Sequence, residues 1–440
     1  MAEVVAFQGI RYNPQVIGDM AAVVAPPYDV ISPREQEGFY QRHPRNVIRL
    51  ILGQTRPGDN EQDNFPLRAA RTFEQWLADG VLVADTVPGF YLTTVDYVVD
   101  DQPFKRYGLI GRVRLEPFEK GIILPHERTF SKVKSERLLL RKACHANFSP
   151  IFGLFNESGP LLDRWAGITD HQHPDIDLVD GADHRQRLWR ITDPSIVDEL
   201  TRFFAQKRIY IADGHHRYET ALNYRQWVRE TTPDFTADHP ANFVMMSLSS
   251  MEDPGMTILP AHRLIKKVPE RVVTELLRKL PEVFDMLAIG LEGGIDAAVE
   301  RFNVSLGGQA HQHAIGLYLQ SPATLLVMVL KEGVMARLFS AELQEALRDL
   351  DVSVLTHLIM MHLMGFDQAF MDDATRITYR TSNLAAVQAV NQGEADMAFI
   401  LNPTRIEQVQ RVAENGLIMP RKSTYFYPKV ISGLVFNRLR

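Results

Sequence analysis

Arg208-Ile-Tyr-Ile-Ala-Asp-Gly-His-His-Arg-Tyr218 passes abruptly from an apolar run to a cluster of ionisable side chains. The pattern predicts a short buried strand over Arg208–Ala212 and a helix over Arg217–Glu230, with a tight turn between them. Asp213 is a residue type that caps helix N-termini, and Gly214 permits both the turn and close approach of a ligand to the backbone. The first amides of a helix have no partner within it, so the N–H groups of Gly214, His215, His216 and Arg217 can face an anion. Two imidazoles and a guanidinium add donors suited to phosphate. The segment therefore predicts a phosphate or carboxylate cradle. The plainer alternative is a capped helix with surface histidines, and two histidines plus an arginine directly after a buried strand weigh against it. No protein-only metal site is expected, because consecutive histidines seldom face one ion and no cysteine pair or His-x-x-x-His lies nearby.

On either side of this unit the chain alternates elements. Apolar positions Leu67, Ala70, Phe73 and Leu77 predict a helix ended by Gly80. The runs Phe90–Val99 and Phe104–Leu115 read as a hairpin, and Ile122-Ile-Leu124 as a short strand entering a polar loop. Ser131–Ala143 is a basic helix, Ile196–Phe204 an amphipathic one, and Asn242–Ser249 a further strand. Beyond Ser250-Met-Glu-Asp-Pro-Gly255 the pattern predicts a helix at Glu270–Leu280, a strand at Thr324–Leu330 and helices across Ala341–Met364. A βαβα series closes the chain: Arg376–Arg380, Leu384–Asn391, Met397–Leu401 and Thr404–Glu414. Sheets covered by helices follow, so the expected class is α/β (or α+β) in two lobes, residues 1–250 and 255–440. The proline-rich first sixty residues are expected to wrap a surface without forming a layer of their own.

Composition bounds the function. With 440 residues, 45% of them hydrophobic and 23% charged, the chain suits two or three globular domains. A net charge of −6 disfavours nucleic acid and anionic membrane as partners. The single cysteine, Cys144, excludes an internal disulfide and fits a cytoplasmic location, as does an N-terminus without signal-peptide character. The most apolar helical stretch, Val352–Met364, carries His357 and His362 and is too short for a bilayer span, so a buried helix is expected. Small-molecule partners are left, and nothing excludes an oligomer.

Three other constellations carry chemistry. In Pro125-His-Glu-Arg-Thr129, Glu127 stands between His126 and Arg128 after a short strand, where a general base can project. A solvated loop with local ion pairs explains the same residues. Lys132, in the basic stretch Ser131–Arg137, could steer an anion, and a solvated basic helix face explains the same stretch equally well. The run Met419-Pro-Arg-Lys-Ser-Thr-Tyr-Phe-Tyr-Pro-Lys429 reads as a tail docked on the body, with Lys422, Ser423 or Lys429 reaching the site, or else as simple docking of its aromatics. Pro26-Pro-Tyr-Asp29 is expected to line a pocket, with a rigid turn as the plainer alternative.

The sequence resembles the DUF1015 family along nearly its whole length, through Ala25-Pro-Pro-Tyr-Asp-Val-Ile-Ser32, Gly108-Leu-Ile-Gly111, Leu124-Pro-His-Glu-Arg-Thr129, the segment Ile211–Leu222 and Met419–Lys429. More distantly, Asp213-Gly-His-His-Arg217 is similar to the corresponding box of free serine kinases in the ParB and sulfiredoxin-like superfamily. That resemblance implies a ParB-like strand–turn–helix unit that holds nucleotide phosphates, and Glu127 as the base acting on a serine hydroxyl. The interval from Glu127 to Asp213 is longer than in that small fold. Association with serine biosynthesis is a further implication of the family resemblance.

The resulting expectation is a phosphoryl-transfer enzyme of serine metabolism, acting on serine or O-phosphoserine as phosphotransferase or phosphatase. Glu127, Asp213, His215 and His216 would be catalytic. His126, Arg128, Lys132, Gly214, Arg217, Lys422, Ser423 and Lys429 would hold substrate and phosphate. ATP or ADP and Mg²⁺ are the cofactors this implies, with Asp213 capping the helix or binding the metal. No Gly-x-x-x-x-Gly-Lys-Ser/Thr occurs, so the P-loop mechanism is excluded. Two other classes compete: a nucleotide-binding regulator or adaptor without turnover, and a metal-dependent hydrolase.

Overall fold

A computed structural model describes residues 1–129, 131–157 and 159–440, except the side chains of residues 131–134 and 160. The chain divides into two compact units, Met1–Thr257 with Pro428–Arg440, and Ile258–Tyr427. The fold is mixed α/β, as the alternation of elements predicts. The expected lobes, 1–250 and 255–440, differ from these units chiefly in Pro428–Arg440, which packs with the first. There Phe436 bridges Ile10, Ser432 bridges Ala25, and Asn437 pairs with Asn147.

The first unit is built on a nine-stranded sheet. Its strands are β1 (Val4–Val5), β2 (Phe90–Val99), β3 (Gln102–Arg114), β4 (Ile123–Leu124), β5 (Ile151–Phe155), β6 (Ile176–Val179), β7 (Arg185–Ile191), β8 (Ile209–Asp213) and β9 (Phe243–Ser250). They lie in the order β4-β8-β5-β9-β3-β2-β7-β6, with β1 added on β3. Residues 145–191, for which no element is expected above, supply three of these strands. Ile151-Phe-Gly-Leu-Phe155 is buried throughout, so its pattern lacks the two-residue alternation that marks a half-exposed strand.

Alternation sorts the other strands between two cores. Phe90, Leu92, Leu109, Val113, Val244 and Met246 face one core, whereas Tyr91, Ile110 and Met245 face the other. Helices cover the first face. Trp165 comes from Pro160–His171, Leu200 and Phe204 from Pro194–Phe204, and Tyr218 and Ala221 from His215–Thr231. The second face is closed by Val24 and by Ile431, Leu434 and Val435.

The first sixty residues do more than wrap a surface. Val47, Ile48, Leu50 and Ile51 join Phe73 and Trp76 of the helix Phe65–Ala78 in a separate core. Pro33–Arg42 is helical, begun by a capping box in which Ser32 Oγ accepts from Glu35 N–H and the Glu35 carboxylate accepts from Ser32 N–H. That correction follows from the apolar cluster at 47–51, which outweighs the prolines around it.

The second unit carries a six-stranded sheet of Phe284–Ile289, Ala323–Leu330, Ala314–Gln320, Met397–Leu401, His262–Ile265 and Ile377–Arg380, in that order. Helices Ile295–Gly308 and Asn383–Asn391 bury Phe302, Val387 and Val390 against it. The apolar stretch after Val352 is buried, and Val354–Leu363 winds as a π-helix. No helix among the described residues is long and apolar enough to cross a membrane.

Candidate functional site

Strand β4 pairs parallel to β8, Ile123 with Ile209 and Leu124 with Tyr210. Parallel strands run out at the same end of a sheet, so the loop after Leu124 and the turn after Asp213 emerge side by side. The long interval between Glu127 and Asp213 is thus closed by strand pairing. Loops beyond the carboxyl ends of such strands are where α/β folds place ligands.

The turn itself has a local cause. The register of β8 on β5 shifts between Ile211 and Asp213, a bulge that re-aims the end of the strand. Gly214 follows at φ 94° and ψ 29°, a left-handed conformation that L side chains rarely adopt. A Cβ at this position would also lie 2.8 Å from Arg217 Nε. The helix then runs from His215 to Thr231, and its first i→i−4 bond is Tyr218 N–H to Gly214 O at 3.0 Å. The N–H groups of His215, His216 and Arg217 precede that bond and form the positive end of the helix dipole.

Asp213 does not cap this helix. Gly214, which has no side chain to cap with, occupies the N-cap position. Asp213 instead accepts from Lys429 Nζ at Oδ1 (2.6 Å) and from Arg217 Nη2 at Oδ2. Burial works to raise the Asp213 pKa, but Lys429 and Arg217 overcome it and hold the carboxyl well below the usual carboxylate range. Both oxygens are engaged by cations, so Asp213 does not fit a Mg²⁺ ligand. Among the described residues, no group of three or more His, Cys, Asp or Glu is arranged to hold one.

His215 is only 3% exposed. Its Nε2 accepts from His126 N–H at 3.2 Å, and the two rings meet edge to face at 4.7 Å. An imidazole that accepts at Nε2 carries its proton at Nδ1. That nitrogen lies 3.8 Å from Glu127 Oε2, whose side chain is 37% exposed. Burial pushes both His215 and His126 down to about 3, so both are neutral at physiological pH. His215 is therefore not the charged imidazole that the turn was expected to present. The Glu127 carboxylate thus faces His215 Nδ1 beyond direct hydrogen-bond length, and His126 is a buried packing partner instead of a cation facing phosphate. His216 is half-buried on the first turn of the helix.

The Arg217 guanidinium is committed inward. Nη1 donates to Pro150 O and Nη2 to Asp213, leaving its backbone N–H for the cradle. Arg128 is exposed on the Glu127 loop. The Lys132 side chain lies outside the described residues. Lys422 and Ser423 belong to the second unit, where Ser423 Oγ donates to Pro420 O and its carbonyl accepts from Thr404 Oγ1 at 2.7 Å. Of the tail residues expected at the site, Lys429 is the one bonded to the turn. Tyr28 of the Pro-Pro-Tyr motif lines a cavity beside Arg217, with Arg137, Arg141 and Asn147. Arg141 escapes sequence reading because an arginine on a basic helix looks the same whether solvated or buried, and Asn147 because no motif surrounds it.

The family model described as "Protein of unknown function (DUF1015)" matches residues 4–353. The chain belongs to the DUF1015 family. No curated protein matches it. Among solved structures, a conserved hypothetical protein from Pyrococcus furiosus is similar at 12% identity and a TM-score of 0.35, covering 73% of this chain and 92% of the other. A free serine kinase in complex with AMP is similar at 13% identity and a TM-score of 0.33, covering 72% and 86%. C-terminally truncated SbnI from Staphylococcus aureus is similar at 10% identity and a TM-score of 0.34, covering 73% and 85%.

Proposed function

We propose that this DUF1015 protein transfers a phosphoryl group at the Asp213–Arg217 turn, with serine or O-phosphoserine as its small-molecule substrate and a nucleotide as the other partner. The observation that carries the reading is the pairing of β4 with β8. It sets a partly exposed carboxylate, Glu127, 3.8 Å from the first residue of a helix whose N-cap is a glycine. Phosphoryl transfer asks chiefly for positioning and charge stabilisation. The N–H groups of His215, His216 and Arg217 bind the phosphoryl oxygens. Glu127, facing the Nδ1–H of His215, takes the proton of the serine hydroxyl in one direction and returns it in the other. The Arg217–Asp213–Lys429 cluster fixes the turn. Serine as the substrate rests on the resemblance of Asp213-Gly-His-His-Arg217 to the free serine kinase box.

The test is phosphorus NMR on the purified protein with Mg²⁺, given O-phosphoserine with ADP, or serine with ATP. A new phosphorus signal is expected, reduced at least 100-fold in rate by Glu127→Gln while the thermal transition stays unchanged. Silence in both mixtures with saturable nucleotide binding would replace transfer by a nucleotide-binding regulator. Full activity in Glu127→Gln would remove that residue from the mechanism.

A further inference from the structure

Beneath the turn lies a cavity of about 50 Å³ whose lining includes Tyr28, Arg137, Arg141, Asn147, Arg217 and Thr220. By the usual measure that is room for three or four waters, or for one small charged group. Three of its residues are arginines, and no carboxylate stands among the described residues that line it. Two of the guanidinium groups are satisfied by protein. Arg137 donates to Ile51 O and Glu136, each at 2.5 Å, and lies 4.1 Å from the centre of the Tyr28 ring. Arg217 is held by Asp213 and Pro150.

Arg141 differs. Its Nη1 is buried without a hydrogen-bond partner among the described residues, and so are Asn147 Nδ2 and Thr220 Oγ1. Burial pushes the Arg141 guanidinium down to about 10, and the neighbouring Arg217 acts in the same direction. A half-buried cation with one nitrogen shut off from water beside a like charge is costly unless an anion joins it. The unpartnered groups are a guanidinium nitrogen, an amide nitrogen and a hydroxyl, which together suit the two oxygens of a carboxylate. Thr220 lies five residues beyond His215, about 7.5 Å of helix rise, which is the span of a molecule of amino-acid size charged at both ends.

Building on the phosphoryl-transfer reading, we propose that this cavity is the recognition pocket for the carboxylate of the small substrate, with Arg141 as its principal anchor and Asn147 and Thr220 completing it. The substrate is then an α-amino acid or its phosphate ester, and not a phosphorylated alcohol or amine. Arg141 is a binding residue that takes no part in proton transfer.

Calorimetry on the full chain with O-phospho-L-serine and with phosphoethanolamine, which lacks only the carboxylate, tests this. The wild type should bind phosphoserine at least tenfold more tightly. Arg141→Met should lose that preference while binding phosphoethanolamine within twofold of wild type. Because a half-buried ion without a counter-charge is being replaced by an apolar side chain of similar length, its transition temperature should be unchanged or higher. Equal affinity of the wild type for the two compounds would overturn the pocket while leaving phosphoryl transfer standing, and this comparison needs no variant. Binding of neither compound would overturn both readings. A preference retained in Arg141→Met, or a lowered transition temperature, would make Arg141 a structural cation and also overturn the proposal.

Discussion

Replacing Lys429 by methionine should destabilise the first unit by about 2–3 kcal/mol. Lys429 and Asp213 are 13% and 14% exposed, and their contact is 2.6 Å long. Removing one member of a buried ion pair costs about 3–5 kcal/mol when the other charge is left alone. Asp213 would keep Arg217, which places the loss toward or just below the lower end of that range. For a unit of this size, about 2–4 °C accompanies each kcal/mol, so the thermal transition should fall by roughly 5–10 °C. The folded-state pKa of Asp213 is depressed, so its contribution is present above the unfolded value and is lost only as pH falls through the folded one. The difference between Lys429→Met and wild type should accordingly be the same at pH 8, 7 and 6. Differential scanning calorimetry, combined with a cycle through Asp213→Asn and the double variant, isolates the coupling. Additive effects, with a coupling under about 0.5 kcal/mol, would refute the argument that these charges act as a buried pair. So would a difference that vanished between pH 8 and pH 6.

Two further outcomes follow from the same turn. Gly214→Ala combines a left-handed backbone with a Cβ driven against the Arg217 guanidinium, so urea unfolding should show a loss of about 2–3 kcal/mol; a loss below about 0.5 kcal/mol would contradict that geometry. His215, held at about 3, stays neutral while the unfolded chain takes up a proton near pH 6.5. Stability is therefore lost as pH falls below about 6.5, and His215→Gln should make the decline between pH 6 and 4 shallower by about 1.4 kcal/mol per pH unit. Parallel pH profiles would show that the ring is not buried in its neutral form.

Much of this architecture is written in periodicity. Phe90–Val99 and the strand ending at Asp213 stand where their apolar runs place them, and the second-unit elements Asn383–Asn391 and Met397–Leu401 are as expected. What periodicity misses is fully buried or locally coded. Ile151–Phe155 alternates nothing because both of its faces are covered. The helix Pro33–Arg42 has almost no apolar stripe, yet Ser32-Pro-Arg-Glu35 carries a capping box with proline in the first turn. At the site, the turn and the Glu127 loop are legible as residue types with recognisable chemistry. The partnership of each side chain is not. Whether Asp213 caps a helix or binds two cations depends on a bulge at Ile211–Asp213 and on a lysine 216 positions away. Neutral histidines are likewise a property of burial, which residue type does not reveal.

Lys429 has a consequence for biosynthesis. The first unit is discontinuous: its Met1–Thr257 portion leaves the ribosome well before Pro428–Arg440. At ordinary elongation rates about 10–30 s separate the two, during which Ile258–Tyr427 is made. Throughout that interval the nascent chain holds Asp213 without its lysine and β-residue Asn147 without Asn437, so an apolar sheet face awaits Ile431, Leu434 and Val435. The turn therefore matures late, after synthesis has passed residue 429, and a nascent chain arrested earlier offers chaperones an open sheet face where the finished protein has a closed one.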